Sequence, residues 1–340
     1  MKRLPFTHER TSTPRATRGM TLLELLLVMA ILATVLGGGV GLFAALDTSK
    51  RTSLGELKTV MRRARLSAVA ESASTRVRID PKGRRAWAEV LQTVGTWQFE
   101  GNMRGALGID GLNRDGSFVD DGYIGKALGF SGRAGELAEL PIHKVGACDL
   151  RDGFRFRFAL QNDAGGRLLE SGRVFSVDVN GAGSIRASFL AQLEMESVNQ
   201  PGATVIAETE PGVLRPNQWA QVEIVYDRVA LRILVDGLEV ANTAEDAPVW
   251  EIDSTLTIGS NRRPYSGVID GLVLAVVVAE EPFVLPEDVS FAENTPTEVM
   301  FQSGGSLDRR KHEEPVYVTL EFEGGDAETL TVGTFGTVER

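Results

Sequence analysis

Three hydrophobic patterns follow one another along the chain. Residues 25–46 are 22 positions without a charge, which as a helix rising 1.5 Å per residue would reach roughly 33 Å, enough for the ~30 Å hydrocarbon core of a bilayer. From Lys50 the apolar positions thin out to spacings of three and four: Leu54, Leu57, Met61, Ala64 and Ala68, with Lys58, Arg62, Arg63 and Arg65 among them. That pattern predicts an amphipathic continuation of the same helix, lying on a sheet. Beyond Thr75 the period falls to two, the mark of half-buried strands.

Residues 75–80 and 85–94 predict a hairpin turned at Pro81, Lys82 and Gly83. From Trp97 onward come many strands separated by Gly and Asp turns. Residues 220–226 alternate, Asp227 and Arg228 turn the chain, and 229–235 answer. Asp236 and Gly237 are a two-residue hairpin signal completed by 238–241. Residues 256–258 and 268–278 predict two more strands, and regular antiparallel strands of this kind make a β-sandwich. Residues 316–322 alternate too regularly for a disordered tail.

Gly37, Gly38, Gly39 and Gly41 interrupt the apolar run. Each costs roughly 1 kcal/mol relative to Ala in a helix interior, so a bend or a readily melted stretch is expected there. Gly37 and Gly41 also have the spacing that lets two helices pack closely. A merely tolerated weak spot is the alternative.

Charge adds an orientation. The total is −10 and the first 19 residues carry +4, which leaves −14 on the remainder. Basic residues ahead of an apolar helix keep that end in the cytoplasm. An acidic remainder argues against a nucleic-acid partner, whose phosphates call for a basic face. The lone cysteine, Cys148, has no internal partner and is expected to be a small buried residue. With only three histidines no zinc cluster suggests itself.

The junction between the basic and apolar parts reads Gly19, Met20, Thr21, Leu22, Leu23, Glu24. A signal peptide would have a shorter apolar core followed by its small cleavage residue, whereas here the glycine comes first. This segment resembles the cleavage and methylation site of type IV prepilins and type II secretion pseudopilins, with Met in place of the usual Phe. The resemblance implies that a membrane prepilin peptidase cuts between Gly19 and Met20 and N-methylates Met20. It also implies that Glu24 pairs with the new amino terminus of a neighbouring subunit. Thr21 and Glu24 equally have capping-box spacing, and the two roles are compatible.

Further on, Arg62 to Ala70 and Thr75 to Asp80 are similar to GspH/FimT-type minor pseudopilins, as are Thr297 to Phe301, 316–322 and 330–338. Between them, Trp97 to Gly101, Gly125 to Gly132, Gly153 to Phe158, Asn217 to Trp219, Val225 to Asp227, Leu231 to Gly237, Leu256 to Gly259 and Tyr265 to Gly271 resemble a laminin-G or concanavalin-A-like jelly roll. The expected fold is an α+β pilin-like head on a long N-terminal transmembrane helix, with an all-β jelly-roll sandwich. The expected division is a leader over 1–19, the membrane helix over 20–49, a discontinuous head over 50–96 plus 281–340, and the sandwich inserted over 97–280. A simple tandem with a disordered tail is the competing arrangement.

The resemblances imply a bacterial inner-membrane protein with a single pass. It would be a minor pseudopilin or pilin-like structural subunit of a type II secretion pseudopilus or a type IV pilus. Its partners would be prepilin peptidase, other pilins and the membrane, with a carbohydrate or protein ligand for the sandwich. A tethered surface lectin or adhesin is the alternative. Laminarinase-like glycosidases share the jelly roll but carry three acids on one strand. Glu194, Glu196 and Asn199 fall short of that, so an enzyme is not expected. Jelly rolls of this group often hold a structural calcium, and the matching residues are Glu100 and Asp270, with Asp110, Asp120 and Asp121 nearby in sequence. Trp250 and Tyr265, in loop-like surroundings, are candidate sugar platforms, while Trp219 is expected in the core.

Overall fold

The computed structural model describes residues 22–106, 110–142, 148–195, 198–250 and 255–340, and for 35–48 and 193–201 it describes the backbone alone. The chain divides into two compact units, 1–52 and 53–340. In the first, the helix Leu22–Ala70 begins with Glu24 in its opening turn. Its side chains from Leu22 to Leu32 are exposed, Leu22 and Leu23 by 78%. The backbone passes through residues 37–41 as unbroken helix, so the glycines do not interrupt it there. The expected anchor continues over residues whose side chains lie outside the description. Among the described residues no helix is long and apolar enough to cross a membrane.

The second unit has two large hydrophobic cores. One takes the helix stripe Leu54, Leu57, Met61, Ala64 and Ala68, every member buried. The stripe packs with Val77 and Ile79 of the strand Thr75–Asp80 and with Val299 and Phe301 of Glu298–Phe301. The four-stranded sheet of Val289–Phe291, Val316–Phe322, Ala327–Val332 and Val338–Glu339 closes this core with Val318, Leu320, Leu330 and Val332. Alternation in 316–322 sends Val316, Val318, Leu320 and Phe322 inward and leaves Tyr317 and Glu321 outside.

The other core fills the sandwich, around Phe154, Phe156, Phe158, Phe175, Phe189 and Tyr226. Its first sheet runs from Arg85–Trp97 through Ser266–Ala279, Phe154–Ser171, Trp219–Tyr226 and Ala230–Val235 to Leu238–Ala244. Asp236 (φ 51°) and Gly237 (φ 79°) form the expected hairpin turn, with two left-handed residues. The second sheet joins Leu137–Leu140, Leu256–Ile258, the far half of Phe154–Ser171, Phe175–Val179, Ile185–Met195 and Val198–Glu208.

Phe154–Ser171 therefore belongs to both sheets. It changes sheet at Gly165 and Gly166 (φ +83° and +132°), where a Cβ on Gly166 would come 2.1 Å from the Pro264 carbonyl oxygen.

The boundary expected at residue 96 falls inside one strand. Arg85–Trp97 pairs with Thr75–Asp80 (Arg76 opposite Glu89) and, on its other side, with Ser266–Ala279 (Leu272 opposite Trp97). The hairpin is thus part of the sandwich's first sheet. Polar contacts reinforce the junction. Arg155 donates to the Glu71 carbonyl at 2.8 Å, occupying a free acceptor just past the helix end, and pairs with the Glu71 carboxylate. Asp227 accepts from Ser74 N at 2.9 Å and from Arg232. Lys311 pairs with Asp246 at 3.0 Å.

Candidate functional site

Inside the first sheet the strand Ser266–Ala279 slips register against Phe154–Ser171 between Asp270 and Val273. Gly271 takes φ +61° at that slip. The irregularity turns Asp270 toward the loop 122–126, leaving it 2% exposed. Its Oδ2 accepts from Ile124 N at 2.9 Å. Its Oδ1 is buried without a hydrogen-bond partner. Burial pushes the carboxyl above its ordinary range, opposed by backbone N–H groups, and the charge of Glu100 adds to the rise.

Glu100 grips the same loop from the other side. Its Oε2 accepts from Lys126 N at 3.1 Å. Gly125 leaves room for that carboxylate, since a Cβ there would stand 2.2 Å from Oε1. The structure therefore brings Glu100 and Asp270 together around one loop. It does not bring the other sequence candidates in as ligands. Asp120 pairs with Lys126 at 2.7 Å, and Asp110 accepts from Gly105 N at 3.3 Å. Among the described residues no group of three or more His, Cys, Asp or Glu is arranged to hold a metal. One unmatched buried oxygen still fits a hard cation whose remaining ligands are carbonyls and water.

Beside Asp270 lies a hollow of about 240 Å³, lined among others by Gln98, Tyr123, Arg157, Gln221 and Gly271. Tyr123 is 44% exposed, and its ring leans on Trp219 with centroids 5.9 Å apart. Gln221 donates to the Tyr123 hydroxyl at 3.3 Å. Trp219 is partly exposed rather than core, because it opens its strand at the sheet margin. Aromatic rings, amides and one guanidinium suit a polar ring-shaped ligand.

Tyr265 is not a platform. It is 1% exposed, packs edge-on against Phe130 at 6.2 Å, and its hydroxyl is raised by burial. The cause is the crossing at Gly166, which draws the segment before Ser266 into the sandwich. Trp250 is half-buried, its backbone N–H donating to the Leu190 carbonyl at 2.8 Å. Cys148 is half-buried, its thiol pushed up to about 11 by burial. Glu194 lies on Ile185–Met195 opposite Asn199, while Glu196 falls outside the described residues. Gly19 and Met20 also lie outside them, and Glu24 is exposed in the first helical turn. The pair Tyr123 and Trp219 was missed because the 95 residues between them contain no periodicity that joins a loop to a strand start; Tyr123 between Gly122 and Gly125 was the available signal.

Residues 14–40 match the model of the prokaryotic N-terminal methylation motif. The chain thus carries a type IV pilin-like N-terminus ahead of a β-sandwich body. No curated protein matches it. Among solved structures it is similar to domain 4 of AbnA, a GH43 extracellular arabinanase from Geobacillus stearothermophilus, solved with arabinotriose. The TM-score is 0.39 at 13% identity, over 56% of this chain and 95% of that one. It is also similar to the binding domain of botulinum neurotoxin serotype G (TM-score 0.41, 11% identity, 54% of this chain and 47% of that one). A third is the binding domain of Paraclostridial mosquitocidal protein 1 (TM-score 0.44, 7% identity, 72% and 90%).

Proposed function

We propose that this chain is a minor pseudopilin or pilin-like structural subunit of a type II secretion pseudopilus or type IV pilus, and that it displays its sandwich as a binding module. The observation that carries the reading is the methylation motif over residues 14–40, continued by a helix that exposes apolar side chains from Leu22 to Leu32. A prepilin peptidase cuts after Gly19, Met20 becomes the methylated terminus, and Glu24 pairs with the terminus of a neighbour. A carboxylate near an apolar helix end is costly in lipid unless it is partnered, which favours such a pairing. The helix holds the protein in the inner membrane with the sandwich on the far side. The module acts by binding, not turnover.

Replacing Gly19 by a bulky residue tests this. Mass spectrometry of the protein from its native host should show a start at Met20, 14 Da heavier for one methyl group on Met20, about the mass of a CH₂ unit, and the variant should keep its leader. A native chain that still begins at Met1 would end the filament reading and leave a tethered lectin or adhesin.

A second reading concerns calcium. Asp270 Oδ1, buried and unmatched, supports a structural ion held by Asp270 and Glu100, whose other oxygens accept from the backbone N–H groups of Ile124 and Lys126. Bound there, the ion would supply no chemistry beyond neutralising two carboxylates and fixing the loop that carries Tyr123.

A further inference from the structure

On the sandwich's second sheet lies a larger groove, of about 560 Å³, distinct from the hollow at Asp270. Its floor is built by alternation. Phe175, Val177 and Val179 point into the core, as do Ala187 and Phe189 of the neighbouring strand. Ser176 and Ser188, opposite each other in the ladder, point outward and join hydroxyls at 3.0 Å. Ser176 is only 9% exposed, so it sits at the bottom of a depression. Thr204 and Leu190 complete the floor, and Asn261 lines one wall.

Charge around the groove is uneven. Arg167 is held by Asp178 at 3.0 Å and by Glu170 at 3.3 Å, and Arg263 reaches Asp178 at 3.1 Å. Those groups largely neutralise one another. Arg173, in the turn before Phe175–Val179, and Arg262, in the loop after Leu256–Ile258, line the same groove from two remote parts of the sequence. Neither makes an ion pair with a described residue, and both are exposed. Two uncommitted guanidinium groups thus converge on one depression in a chain of net charge −10.

From this geometry we infer that the groove binds an acidic sugar, a short oligosaccharide bearing uronic carboxylates. Arg173 and Arg262 hold the carboxylate, for which the planar guanidinium fork is the matching donor. Ser176, Ser188, Thr204 and Asn261 both donate and accept, which suits a ligand crowded with hydroxyls. Leu190 and Val174 offer apolar area to the C–H face of a ring. Trp250, whose backbone N–H donates to the Leu190 carbonyl, lies beside that end. A nucleic acid is disfavoured, since its duplex brings one charge per about 1.7 Å against an acidic protein, whereas a uronic sugar brings one per ring. The inference rests on the sandwich being a binding module and is independent of the filament role.

The test is calorimetry on the full-length chain in detergent with trigalacturonic acid, its methyl ester and inorganic sulfate. The acid is expected to bind, and to bind more weakly as salt rises. The ester, with the same hydroxyls and no charge, should lose roughly tenfold or more, as should Arg173→Gln and Arg262→Gln, each removing one charge-assisted contact. Arg340→Gln, which removes an exposed guanidinium paired with Glu328 outside the groove, should leave binding unchanged. Equal binding of acid and ester, unchanged binding in the Arg173→Gln/Arg262→Gln double variant, sulfate binding as tightly as the sugar, or no binding of the acid would each overturn the assignment. If acid and ester bind alike and Tyr123→Ala abolishes both, the binding module stands and this groove is not its site.

Discussion

The two ends of one helix differ in what they do with apolar side chains. Leu22 to Leu32 face outward, while Leu54, Leu57 and Met61, on the same helix, are 7%, 0% and 0% exposed. Apart from Glu24, apolar side chains surround the first stretch, whereas in the second a single stripe is buried and Leu66 and Val69 lie exposed among basic residues, so only the second has a largely polar face to offer water. A helix apolar all round needs an apolar surrounding, and an amphipathic one needs only a single packed neighbour. The second unit also buries charge, and there each buried carboxylate is judged by its partners.

The sharpest way to break the contrast is to remove a side chain from each end. Leu57→Ala should cost about 2–5 kcal/mol of unfolding free energy through the cavity it leaves. Leu27→Ala should change it by less than about 0.5 kcal/mol. Denaturant unfolding followed by tryptophan fluorescence measures both. Equal effects would mean that the first stretch packs against the second unit.

Asp227→Ala tests the buried-charge side, with an expected loss of about 3–5 kcal/mol because Arg232 would be left beside a void. Next comes Leu27→Asp, which should cost about 2.5–3.5 kcal/mol of insertion and shift the protein out of the membrane fraction, with its folded sandwich intact by circular dichroism.

Asp270 is the buried carboxylate with an unmatched oxygen, and its expected effect is intermediate. Its folded pKa lies above the ordinary 3.8 through burial and then the Glu100 charge. Between pH 3.8 and that raised value the folded state holds a proton that the unfolded chain has released. Metal-free stability should fall as pH rises from about 3.8 through the folded pKa, and then level off. Calcium at a hundredfold excess over its Kd should restore about 2.7 kcal/mol at neutral pH. Asp270→Asn should abolish that gain without destabilising the metal-free protein. A calcium-insensitive melting temperature would remove the ion from the account.

His312 gives the smallest effect. Its Nε2 accepts from Met300 N at 3.0 Å, and burial lowers its pKa from 6.5, outweighing Glu298 and Asp308. A depressed folded value contributes stability that is present above pH 6.5 and lost as pH falls through the folded pKa. The expected loss is about 1 kcal/mol, the worth of one hydrogen bond. His312→Gln, which keeps an acceptor, should flatten that part of the pH profile.

Much of the local structure was legible. The stripe at Leu54, Leu57, Met61, Ala64 and Ala68 is the buried face, and the turn at Asp236 and Gly237 is where it was expected. These are contests between neighbours a few residues apart, and periodicity records their outcome. Glu100 and Asp270 hold the same loop, 122–126, because strand order fixes which segments come together. Of the two expected platforms, Tyr265 is buried. Tyr265 lay among turn residues, yet a close approach of Gly166 to Pro264 pulled it inside.

By itself, then, the sequence determined the cleavable-looking junction at Gly19, the two-faced helix, the hairpins and the acidic charge balance, since each depends on residues close along the chain. Tertiary structure decided that Arg85–Trp97 would serve both the hairpin and the sandwich. It also decided that Arg173 and Arg262 would face one groove. Which remote loops converge depends on where a strand changes sheet and on how edges pair, and no window of sequence carries that.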